Sequence, residues 1–563
     1  MNKKWQICET DKEKVDELKS KYNISELLAT ILVNKNIITQ KEINEFLNPT
    51  RNDFFDPFLM NDMDIAIKRI KKAIENQEKV IIYGDYDVDG ITSITVLKSF
   101  LKDVGLNVDY YIPNRLEEGY GLNKNAIDEI AKKEYKLMIT VDCGISAIEE
   151  VDYANSLGIE VIITDHHEPG DEIPKALAVV DNKRKDSKYP FRELAGVGVA
   201  FKVSQALAQS MNIREEEYLK YLDIVCVGTI SDIVPLVSEN RVITKLGLKL
   251  VKQTRNMGLR AIINSSGYSQ INSTTISFGV APRINACGRM GKAEQALKLL
   301  LSKDIYEVNK LTQELNSYNR ERQEIEKEIF ENALTKIEQN NLAKNRTIVV
   351  GGENWHHGVI GIVSSKITEK YFKPSILLSF EEDGTGKGSG RSIPGFDLHE
   401  ALMKCENCLE KFGGHSMAVG LTIKKENLEQ FYKKFEKIAE ENEIENIIPI
   451  INVDAKIELD KIDKSVVEDL KQLEPFGEAN KTPTFALKNI RIDSIRALSE
   501  GKHLKLTLRE NNQIINAIGF NIGELAEAYK IGDKIDIAGV LEINTFNGID
   551  NLQINIKDIM KSI

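Results

Sequence analysis

Three short apolar runs, each ending abruptly in acidic or imidazole side chains, constrain the fold of this chain more than any other feature. The runs occupy residues 80–83, 137–141 and 161–164. Directly after them come Gly84-Asp85-Tyr86-Asp87-Val88-Asp89-Gly90, Asp142-Cys143-Gly144 and Asp165-His166-His167. Uninterrupted apolar runs of this length are typical of buried parallel strands, and open α/β sheets bind ligands at the carboxyl ends of such strands. The sequence therefore predicts a parallel sheet with a ligand site where its strands end.

The residue types at these strand ends indicate a metal site. Crowded carboxylates repel one another unless cations neutralise them, and carboxylate oxygens with a neutral imidazole suit Mn²⁺ or Mg²⁺. Two such ions about 3.5–4 Å apart activate a water molecule and stabilise a phosphoryl group during in-line displacement. The alternative is that each aspartate only ends a strand and caps the next helix. That explanation fits any single aspartate better than it fits all three strand ends together.

The length of 563 residues predicts several domains, because it exceeds what one hydrophobic core supports. Alternating strand and helix patterns predict an α/β protein whose first sheet is parallel and doubly wound. A charged helical pattern over residues 305–340, without Gly or Pro, predicts a long connecting helix. We expect an N-terminal helical extension at 1–65, a catalytic domain at 66–300, the connecting helix at 301–342, a second α/β domain at 343–446, and an OB-like β-barrel at 447–563.

Composition excludes several classes of protein. No apolar run reaches the length of about 18 residues that a membrane helix needs, and the first residues lack the apolar core of a signal peptide. The six cysteines form no disulfide framework, so we expect a cytoplasmic protein without a membrane segment. The net charge of −11 gives no global sign of nucleic-acid binding. Evidence for nucleic-acid binding must therefore come from local clusters of basic residues.

Later motifs supply candidate substrate-binding residues. Arg283, Asn285 and Arg289 follow a proline and flank a glycine, which suits a loop that brings guanidinium groups to phosphate or carboxylate oxygens. A salt bridge to the acidic sheet is the alternative role. The Gly-rich stretch 386–392 suits a loop whose backbone N–H groups approach a phosphate, with Lys387 and Arg391 supplying charge. A mobile surface hairpin has the same composition.

Two further patterns are less specific. The β-rich tail offers Lys502, His503, Lys505 and Phe520 as candidate contacts to a single strand, although a purely structural barrel explains them nearly as well. Gly196-Val197-Gly198 lacks the third glycine and the preceding strand of a dinucleotide-binding loop, so we reject that function.

The strand-end motifs, together with Gly228-Thr229-Ile230-Ser231-Asp232-Ile233-Val234-Pro235, resemble the four motifs of the DHH phosphoesterase superfamily. Further stretches narrow the resemblance to its RecJ family of single-strand-specific exonucleases, and the likeness covers nearly the whole chain. These stretches are Pro282-Arg283-Ile284-Asn285-Ala286-Cys287-Gly288-Arg289-Met290, Gly390-Arg391-Ser392, Phe412-Gly413-Gly414-His415 and Leu473-Glu474-Pro475-Phe476-Gly477.

The resemblance implies a role for each motif residue. It makes Asp89, Asp142, His166 and Asp232 the ligands of one metal, and Asp87 and Asp142, with Asp85, the ligands of a second. Asp142 is then the bridge, and Asp89, Asp142 and His167 are the catalytic candidates, with His167 facing the scissile phosphate. The second α/β domain corresponds to the DHH-associated domain, which implies a substrate groove with His356, His357, Arg391 and His415 on one wall.

The resemblance implies a metal-dependent 5′-to-3′ exonuclease that degrades single-stranded DNA to mononucleotides in repair and recombination, with two Mn²⁺ or Mg²⁺ ions as cofactors. A single-strand-binding protein and a helicase are candidate partners, and we expect a monomer because residues 305–340 lack a sustained apolar heptad. Two alternatives stay open. One is a phosphoesterase for oligoribonucleotides, cyclic dinucleotides or polyphosphate, against which the extra barrel argues. The other is a catalytically silent replication scaffold, against which the intact acidic set argues.

Overall fold

The computed structural model describes residues 3–546 and 549–562. Contacts within the chain divide it into two compact units. The larger unit comprises Phe55–Val234 and Leu246–Ile447. The smaller unit combines the described residues up to Phe54, the excursion Pro235–Lys245, and the described residues from Ile448 onward.

The N-terminal segment belongs to the core of the smaller unit. It comprises strand β1 (Lys4–Ile7) and helices α1 (Lys12–Tyr22), α2 (Glu26–Asn34) and α3 (Gln40–Leu47). Asp11, Ser25 and Thr39 cap the three helices by accepting hydrogen bonds from backbone N–H groups in the first turn. Helix α2 is apolar on all sides and almost wholly buried, because it shares one hydrophobic core with the C-terminal barrel.

The first α/β domain is built on the predicted parallel sheet. Its first elements are α4 (Met63–Asn76), β2 (Val80–Gly84), α5 (Val88–Asp103), β3 (Val108–Tyr111), α6 (Lys124–Lys132), β4 (Leu137–Val141), α7 (Ile148–Ser156), β5 (Glu160–Asp165) and β6 (Ala178–Asp181). The strand order is β3-β2-β4-β5-β6, with every pairing parallel. Strand β3 lies on one side of β2, and the next strand in the sequence, β4, lies on the other side of β2. The carboxyl ends of β2 and β4 therefore flank the topological switch point, where such sheets bind ligands.

Helices complete the first α/β domain, and the last of them connects it to the second. They are α8 (Gly196–Ser210), α9 (Glu216–Leu219), α10 (Leu222–Ser231), α11 (Ser238–Val251), α12 (Met257–Ser265), α13 (Ala281–Arg289), α14 (Ala293–Leu301) and α15 (Ile305–Gln339). Helix α15 has 35 residues, so it spans about 52 Å at about 1.5 Å per residue. This confirms the connecting helix. In the described part of the chain, no helix combines the length and the apolar character needed to cross a membrane.

The second α/β domain carries a mixed sheet. It comprises β7 (Ile348–Glu353), α16 (His357–Tyr371), β8 (Ser375–Phe380), β9 (Thr385–Arg391), α17 (Leu398–Lys404), β10 (Lys411–His415), β11 (Ala418–Lys424) and α18 (Leu428–Glu441). The strand order is β10-β11-β9-β8-β7, and only the pairing of β7 with β8 is parallel. The far end of α15 packs here, with Ile329, Ala333 and Ile337 buried beside the strands.

The Gly-rich stretch is the clearest error of the sequence prediction, because residues 386–391 lie in the central strand β9 and not in a loop. Strand β9 pairs with both β8 and β11, so its backbone N–H groups take part in the sheet ladder and cannot cradle a phosphate. Its glycines make room for large neighbours: a Cβ on Gly386 would lie 2.6 Å from the Phe380 ring, and one on Gly388 would lie 2.6 Å from Leu378.

The C-terminal segment forms the predicted barrel. Its elements are β12 (Ile450–Val453), β13 (Ala455–Lys456), α19 (Lys464–Leu470), β14 (Phe485–Leu498), β15 (His503–Glu510), β16 (Gln513–Gly519), α20 (Leu525–Ala528), β17 (Lys534–Phe546) and β18 (Ile549–Lys561). Strands β14, β15, β16, β18 and β17 pair in that order, and β17 pairs back to β14. The sheet therefore closes on itself, which leaves its five strands without an open edge.

Arg241 links the separate segments of the smaller unit. Its side chain is 1% exposed, and its guanidinium donates hydrogen bonds to the carbonyl oxygens of Phe46, Leu473 and Glu474. The guanidinium carbon also lies 3.6 Å from the centre of the Phe46 ring. One side chain from the excursion thus joins the N-terminal helices to the turn before the barrel.

We predict that Arg241→Met lowers the free energy of unfolding of the smaller unit by about 3 kcal/mol, because it leaves buried carbonyl oxygens without donors. The chain has two tryptophans, Trp5 in the smaller unit and Trp355 in the larger. In a Trp355→Phe background, Trp5 fluorescence during urea unfolding therefore reports on the smaller unit alone. Lys249→Met, an exposed change on the same helix, is the control and should leave the transition unmoved. Equal transitions for both variants would contradict this role of Arg241.

Candidate active site

The strand-end side chains named from the sequence converge at the carboxyl ends of β2, β4 and β5. Among the described residues there are three groups of side chains, and within each group the potential ligand atoms lie within 4.8 Å of one another. The groups are Asp85-Asp87-Asp142, Asp89-His166-Asp232 and Asp142-His166-His167. Asp142 and His166 each belong to two groups. The structure thus brings together all six predicted metal ligands, with Asp142 between two of the sets.

His166 points its Nε2 into a ring of carboxylates. This atom lies 3.1 Å from an Asp142 oxygen and 3.7 Å from oxygens of Asp89 and Asp232. It is buried without a hydrogen-bond partner, as is Oδ1 of Asp85. Burial, with a smaller contribution from the charge of His167, lowers the pKa of His166 to about 3. The ring is therefore neutral at pH 7, which is the form that ligates a metal.

The carboxylates raise one another's pKa. Burial first, and then the charges of neighbouring aspartates, raise the pKa of Asp85, Asp142 and Asp232 well above their usual range. The same causes raise the pKa of Asp89 to about 7. These groups are ionised together at neutral pH only if cations offset their repulsion. The orphaned atoms and the hard oxygen and imidazole donors fit divalent metal ions.

Helix α8 supports Asp89 from its N-terminus. The backbone N–H groups of Gly196 and Val197 donate hydrogen bonds of 2.6 and 2.8 Å to the two oxygens of Asp89. A helix N-terminus favours negative charge. A Cβ on Gly196 would lie 2.7 Å from Asp142, so only glycine lets the helix approach this closely. The rejected dinucleotide motif therefore contains a supporting residue of the acidic site, which spacing rules did not reveal.

Backbone geometry at two positions is strained. Asp142 has φ 60° and Ile233, directly after Asp232, has φ 62°. Positive φ is unfavourable for a β-branched residue such as isoleucine. Strained residues of this kind cluster at active sites, where the surrounding structure holds them. Both strained positions lie beside the acidic cluster.

Helix α5 places the first motif. Asp87 caps the helix, since its Oδ1 accepts hydrogen bonds from the N–H groups of Asp89 and Gly90 at 2.8 and 3.1 Å. Asn285 reaches the same turn and accepts a 3.3 Å hydrogen bond from the Val88 N–H. Asn285 therefore contacts the metal-binding segment itself.

His167 differs in charge from His166. Its Nδ1 lies 2.7 Å from Asp165, and the Tyr120 hydroxyl lies 3.3 Å from the same nitrogen. Burial by itself lowers the pKa of His167, but the bond to Asp165 and the nearby carboxylates raise it to about 9. A protonated imidazole cannot ligate a metal. It can donate a hydrogen bond to an anion beside the cluster.

A cluster of three arginines lies next to the acidic site. Arg289 donates to the carbonyl oxygen of Gly358 at 2.7 Å, and Arg391 donates to the Ser389 hydroxyl at 3.0 Å. The Arg115 guanidinium lies 5.0 Å from the centre of the Tyr86 ring. Burial, then the charges of Arg115, Arg322 and Arg391, lower the pKa of Arg289 to about 10. Arginines whose charges oppose one another in this way fit a site for an anion such as phosphate.

Sequence reasoning missed Arg115 and Tyr120, which lie on the loop between β3 and α6. Glu118 holds that loop: it accepts hydrogen bonds from the Asn114 N–H at 2.6 Å, the Tyr111 hydroxyl at 2.8 Å and the Asn123 amide at 2.9 Å. Their position in the sequence could have indicated them, because this loop follows the carboxyl end of a parallel strand, where such sheets bind ligands.

The other basic candidates lie in three different surroundings. His356 caps α16 at the arginine cluster, where its Nδ1 accepts from the Gly358 N–H. His357 and Lys387 both lie close to Glu381, at 3.3 and 2.9 Å, and burial lowers the pKa of His357, so this carboxylate offsets mainly the charge of Lys387. His415 is exposed at the end of edge strand β10.

Arg283 does not join the arginine cluster, and its segment is helix α13 and not the predicted loop. Its guanidinium donates to the carbonyl oxygens of Gly279 and Ser265 and to the Asn316 side chain. It borders a separate groove along α15. In the smaller unit, His503 lies edge-on to the exposed Phe520 ring at 5.3 Å, and Lys502 is exposed beside it.

Family models match three parts of the chain. The DHH family N-terminal domain matches residues 79–229, the DHHA1 domain matches 344–441, and the RecJ OB domain matches 453–558. These regions contain, in turn, the parallel sheet, the mixed sheet and the closed barrel.

Whole-chain relatives agree. The single-stranded-DNA-specific exonuclease RecJ of Bacillus subtilis is 40% identical over 99% of this chain and 70% of its own length. The Escherichia coli protein of the same name is 32% identical over 89% of this chain and 90% of its own. The Mn²⁺ complex of Thermus thermophilus RecJ is similar with a TM-score of 0.86 at 28% identity, covering all of this chain and 80% of that one. Its Mg²⁺ complex has a TM-score of 0.79 at 26% identity, with coverage of 100% and 79%. The chain therefore belongs to the RecJ family of the DHH superfamily.

Proposed function

We propose that this protein is a metal-dependent exonuclease that degrades single-stranded DNA from the 5′ end to mononucleotides, in DNA repair and recombination. The observation that carries the proposal is the group of six buried or half-buried ligand side chains at the carboxyl ends of the strands. The names of the relatives, single-stranded-DNA-specific exonucleases, support the substrate class.

Two divalent metal ions, Mn²⁺ or Mg²⁺, are the proposed cofactors. Asp89, Asp142, His166 and Asp232 would hold one, and Asp85, Asp87 and Asp142 the other. When bound, such ions supply a nucleophilic water at neutral pH and offset phosphoryl charge.

The protein's own groups orient the phosphodiester. Protonated His167 donates a hydrogen bond to a phosphate oxygen and stabilises the charge that develops there. Asp165 keeps that imidazole protonated and fixes its ring. The Tyr120 ring lies edge-on to His167 at 5.7 Å and covers the same side of the site.

The arginine cluster is the proposed binding site for the 5′ end of the strand. A terminal phosphate carries close to two negative charges near neutral pH, whereas an internal phosphodiester carries one. Arg115, Arg289 and Arg391 together therefore favour a terminal phosphate. We assign His356, His357, Lys387, His415 and Asn285 to the surrounding contacts, and Lys502 and His503 to contacts of the strand with the barrel.

A cytoplasmic location is proposed from the composition of the chain, and a monomer because residues 305–340 lack a sustained apolar heptad. A helicase that supplies the unwound strand and a single-strand-binding protein that covers it are proposed from the family resemblance. The release of single strands from duplex DNA requires unwinding, which agrees with a helicase partner.

Digestion of single-stranded DNA labelled at either end tests the proposal. With Mn²⁺ we expect the 5′ label to be released as mononucleotide while the 3′ label stays on long products, and with EDTA we expect no cleavage. Release from the 3′ end would contradict the proposed polarity. Inactivity on DNA with turnover of oligoribonucleotides or cyclic dinucleotides would favour the small-substrate phosphoesterase.

We predict that Asp142→Asn reduces Mn²⁺-dependent hydrolysis by about 100-fold or more, because the bridging carboxylate is lost. Asparagine tolerates the positive φ at this position. In EDTA the variant should unfold at the same or a higher temperature than the natural protein, because a buried charge is removed. Asp152→Asn, on an exposed helix surface, is the control for both assays. Full activity in Asp142→Asn would exclude the bridge.

The raised pKa of Asp89 predicts a pH-dependent stability of the metal-free protein. A carboxyl whose pKa rises on folding stabilises the fold below its unfolded value, and this contribution disappears as pH rises through about 7. His167, with its pKa raised to about 9, also makes the folded state less stable as pH rises above about 6.5. The lowered pKa of His166 changes the stability only below about pH 6.5. The unfolding temperature in EDTA should therefore fall from about pH 6.5 to about pH 8. Saturating Mn²⁺ should flatten the profile, and a flat profile in EDTA would contradict the raised pKa values of Asp89 and His167.

We predict that Arg391→Met raises KM for a 5′-phosphorylated strand by about 10- to 100-fold, because a charge-assisted hydrogen bond is lost. The variant should also lose any preference over a 5′-hydroxyl strand, while kcat changes less. Lys370→Met, an exposed change in the last turn of α16, is the matched control. An unchanged preference for the phosphorylated end would argue against the arginine cluster.

A further inference from the structure

A second groove lies along the first half of α15. It encloses about 600 Å³ between α12, α13 and α15. Its lining includes Tyr268, Phe278, Arg283, Asn316, Arg320 and Gln323. Its aromatic and polar side chains take no part in the metal site.

Two large aromatic side chains face this groove and remain exposed. Phe278 is 69% exposed and Tyr268 is 43% exposed. Phe278 lies in a π-helical turn, Thr275–Val280, and such turns are frequent at functional sites. The next residue, Gly279, lies against the Tyr268 ring, where a Cβ would be 3.0 Å from Cδ2. Exposed aromatic surface is costly in water, so its concentration at one groove indicates a ligand.

The polar part of the lining suits a nucleic acid. Within the described residues it consists of carboxamides, hydroxyls and two arginines, in a chain whose net charge is −11. Gln313, Asn316, Arg320 and Gln323 recur at spacings of three and four residues, so they form one stripe on α15. Carboxamides both donate and accept hydrogen bonds, so they can pair with the edge of any base.

Helix α15 connects the groove with the arginine cluster. Asn319, another lining residue, accepts a 2.6 Å hydrogen bond from Arg322. Arg322 is in turn one of the charges that lower the pKa of Arg289. Arg322, which is also paired with Glu326, therefore interacts both with the groove lining and with the charge of Arg289 at the proposed site for the 5′ end.

We propose that this groove is a stacking subsite for bases of the single strand at a distance from the cleaved bond. The inference rests on the proposed function for the identity of the ligand. Phe278 and Tyr268 stack on bases, Arg320 attracts the backbone phosphates, and the exposed carboxamides of Gln313 and Gln323 contact base edges without selecting a sequence. Arg283 shapes the groove through its bonds to Gly279 and Asn316.

The test compares Phe278→Ala and Tyr268→Ala with Tyr306→Ala. Tyr306 is 83% exposed on the same helix α15 and does not line the groove. The substrates are a 5′-phosphorylated dinucleotide and a long 5′-phosphorylated oligothymidylate, hydrolysed with Mn²⁺. For the long strand we expect KM to rise by about 5- to 150-fold in each groove variant, which corresponds to the loss of one base stack. The proposal places the groove beyond a dinucleotide held at its 5′ end, so each groove variant should hydrolyse the dinucleotide with the kinetics of the natural protein.

A binding assay separates this inference from the proposed function. Anisotropy of a labelled oligothymidylate, measured in EDTA, reports affinity without cleavage. Weaker binding by both groove variants supports the subsite even if the protein hydrolyses no DNA, which would overturn only the proposed function. Phe278→Trp should retain the affinity and Phe278→Leu should lose it, because leucine is apolar but does not stack. Equal affinity of Phe278→Leu and the natural protein, or equal losses with Tyr306→Ala, would overturn the subsite.

Discussion

The repulsion among buried carboxylates at the carboxyl ends of β2 and β4 is the constraint on which the rest of the structure depends. Asp85, Asp142 and Asp232 have pKa values raised well above the usual range because burial and their neighbours oppose ionisation. The fold holds these groups in place by local devices. Helix α8 directs two N–H groups at Asp89, and Asp87 caps α5. Strained backbone is kept at Asp142 and Ile233. This repulsion destabilises the metal-free fold, so the arrangement is explained if cations bind there. The same cations would supply the chemistry of hydrolysis.

Charge separates the roles of the two adjacent histidines. His166 faces carboxylate oxygens yet is neutral, with a pKa near 3, whereas His167 is held protonated by Asp165 with a pKa near 9. The neutral ring suits a metal, and the protonated ring suits a phosphate. Arg115, Arg289 and Arg391 add positive charge near the acidic site, and Arg322, whose charge acts on Arg289, donates a hydrogen bond to Asn319 at the aromatic groove along α15. We propose that bases of the strand stack in that groove.

The parallel sheet, the connecting helix and the barrel follow from apolar runs and periodicity, because burial on both faces of a strand leaves a direct signal in the sequence. Most of the acidic and imidazole set was also predictable, since the carboxyl ends of neighbouring parallel strands lie at one edge of the sheet. Asp232 came only from the family resemblance, because it caps the C-terminus of helix α10 and follows no strand. The Gly-rich strand β9 was not, because glycines that make room for Phe380 and Leu378 have the same composition as a loop. Arg115 and the Gly196 contact with Asp142 depend on how a loop and a helix fold back onto the sheet, which local patterns do not encode. The predicted role of Arg283 was wrong for the same reason, because its partners Ser265 and Asn316 are distant in sequence.

Two divalent cations are proposed to offset the repulsion of this acidic set. Equilibrium dialysis against Mn²⁺, with free ion counted by electron paramagnetic resonance, measures how many ions the site holds. We expect two Mn²⁺ ions bound per chain, with magnetic coupling between them because Asp142 would be their shared ligand. Binding of one ion or none would contradict it, and so would two ions without coupling.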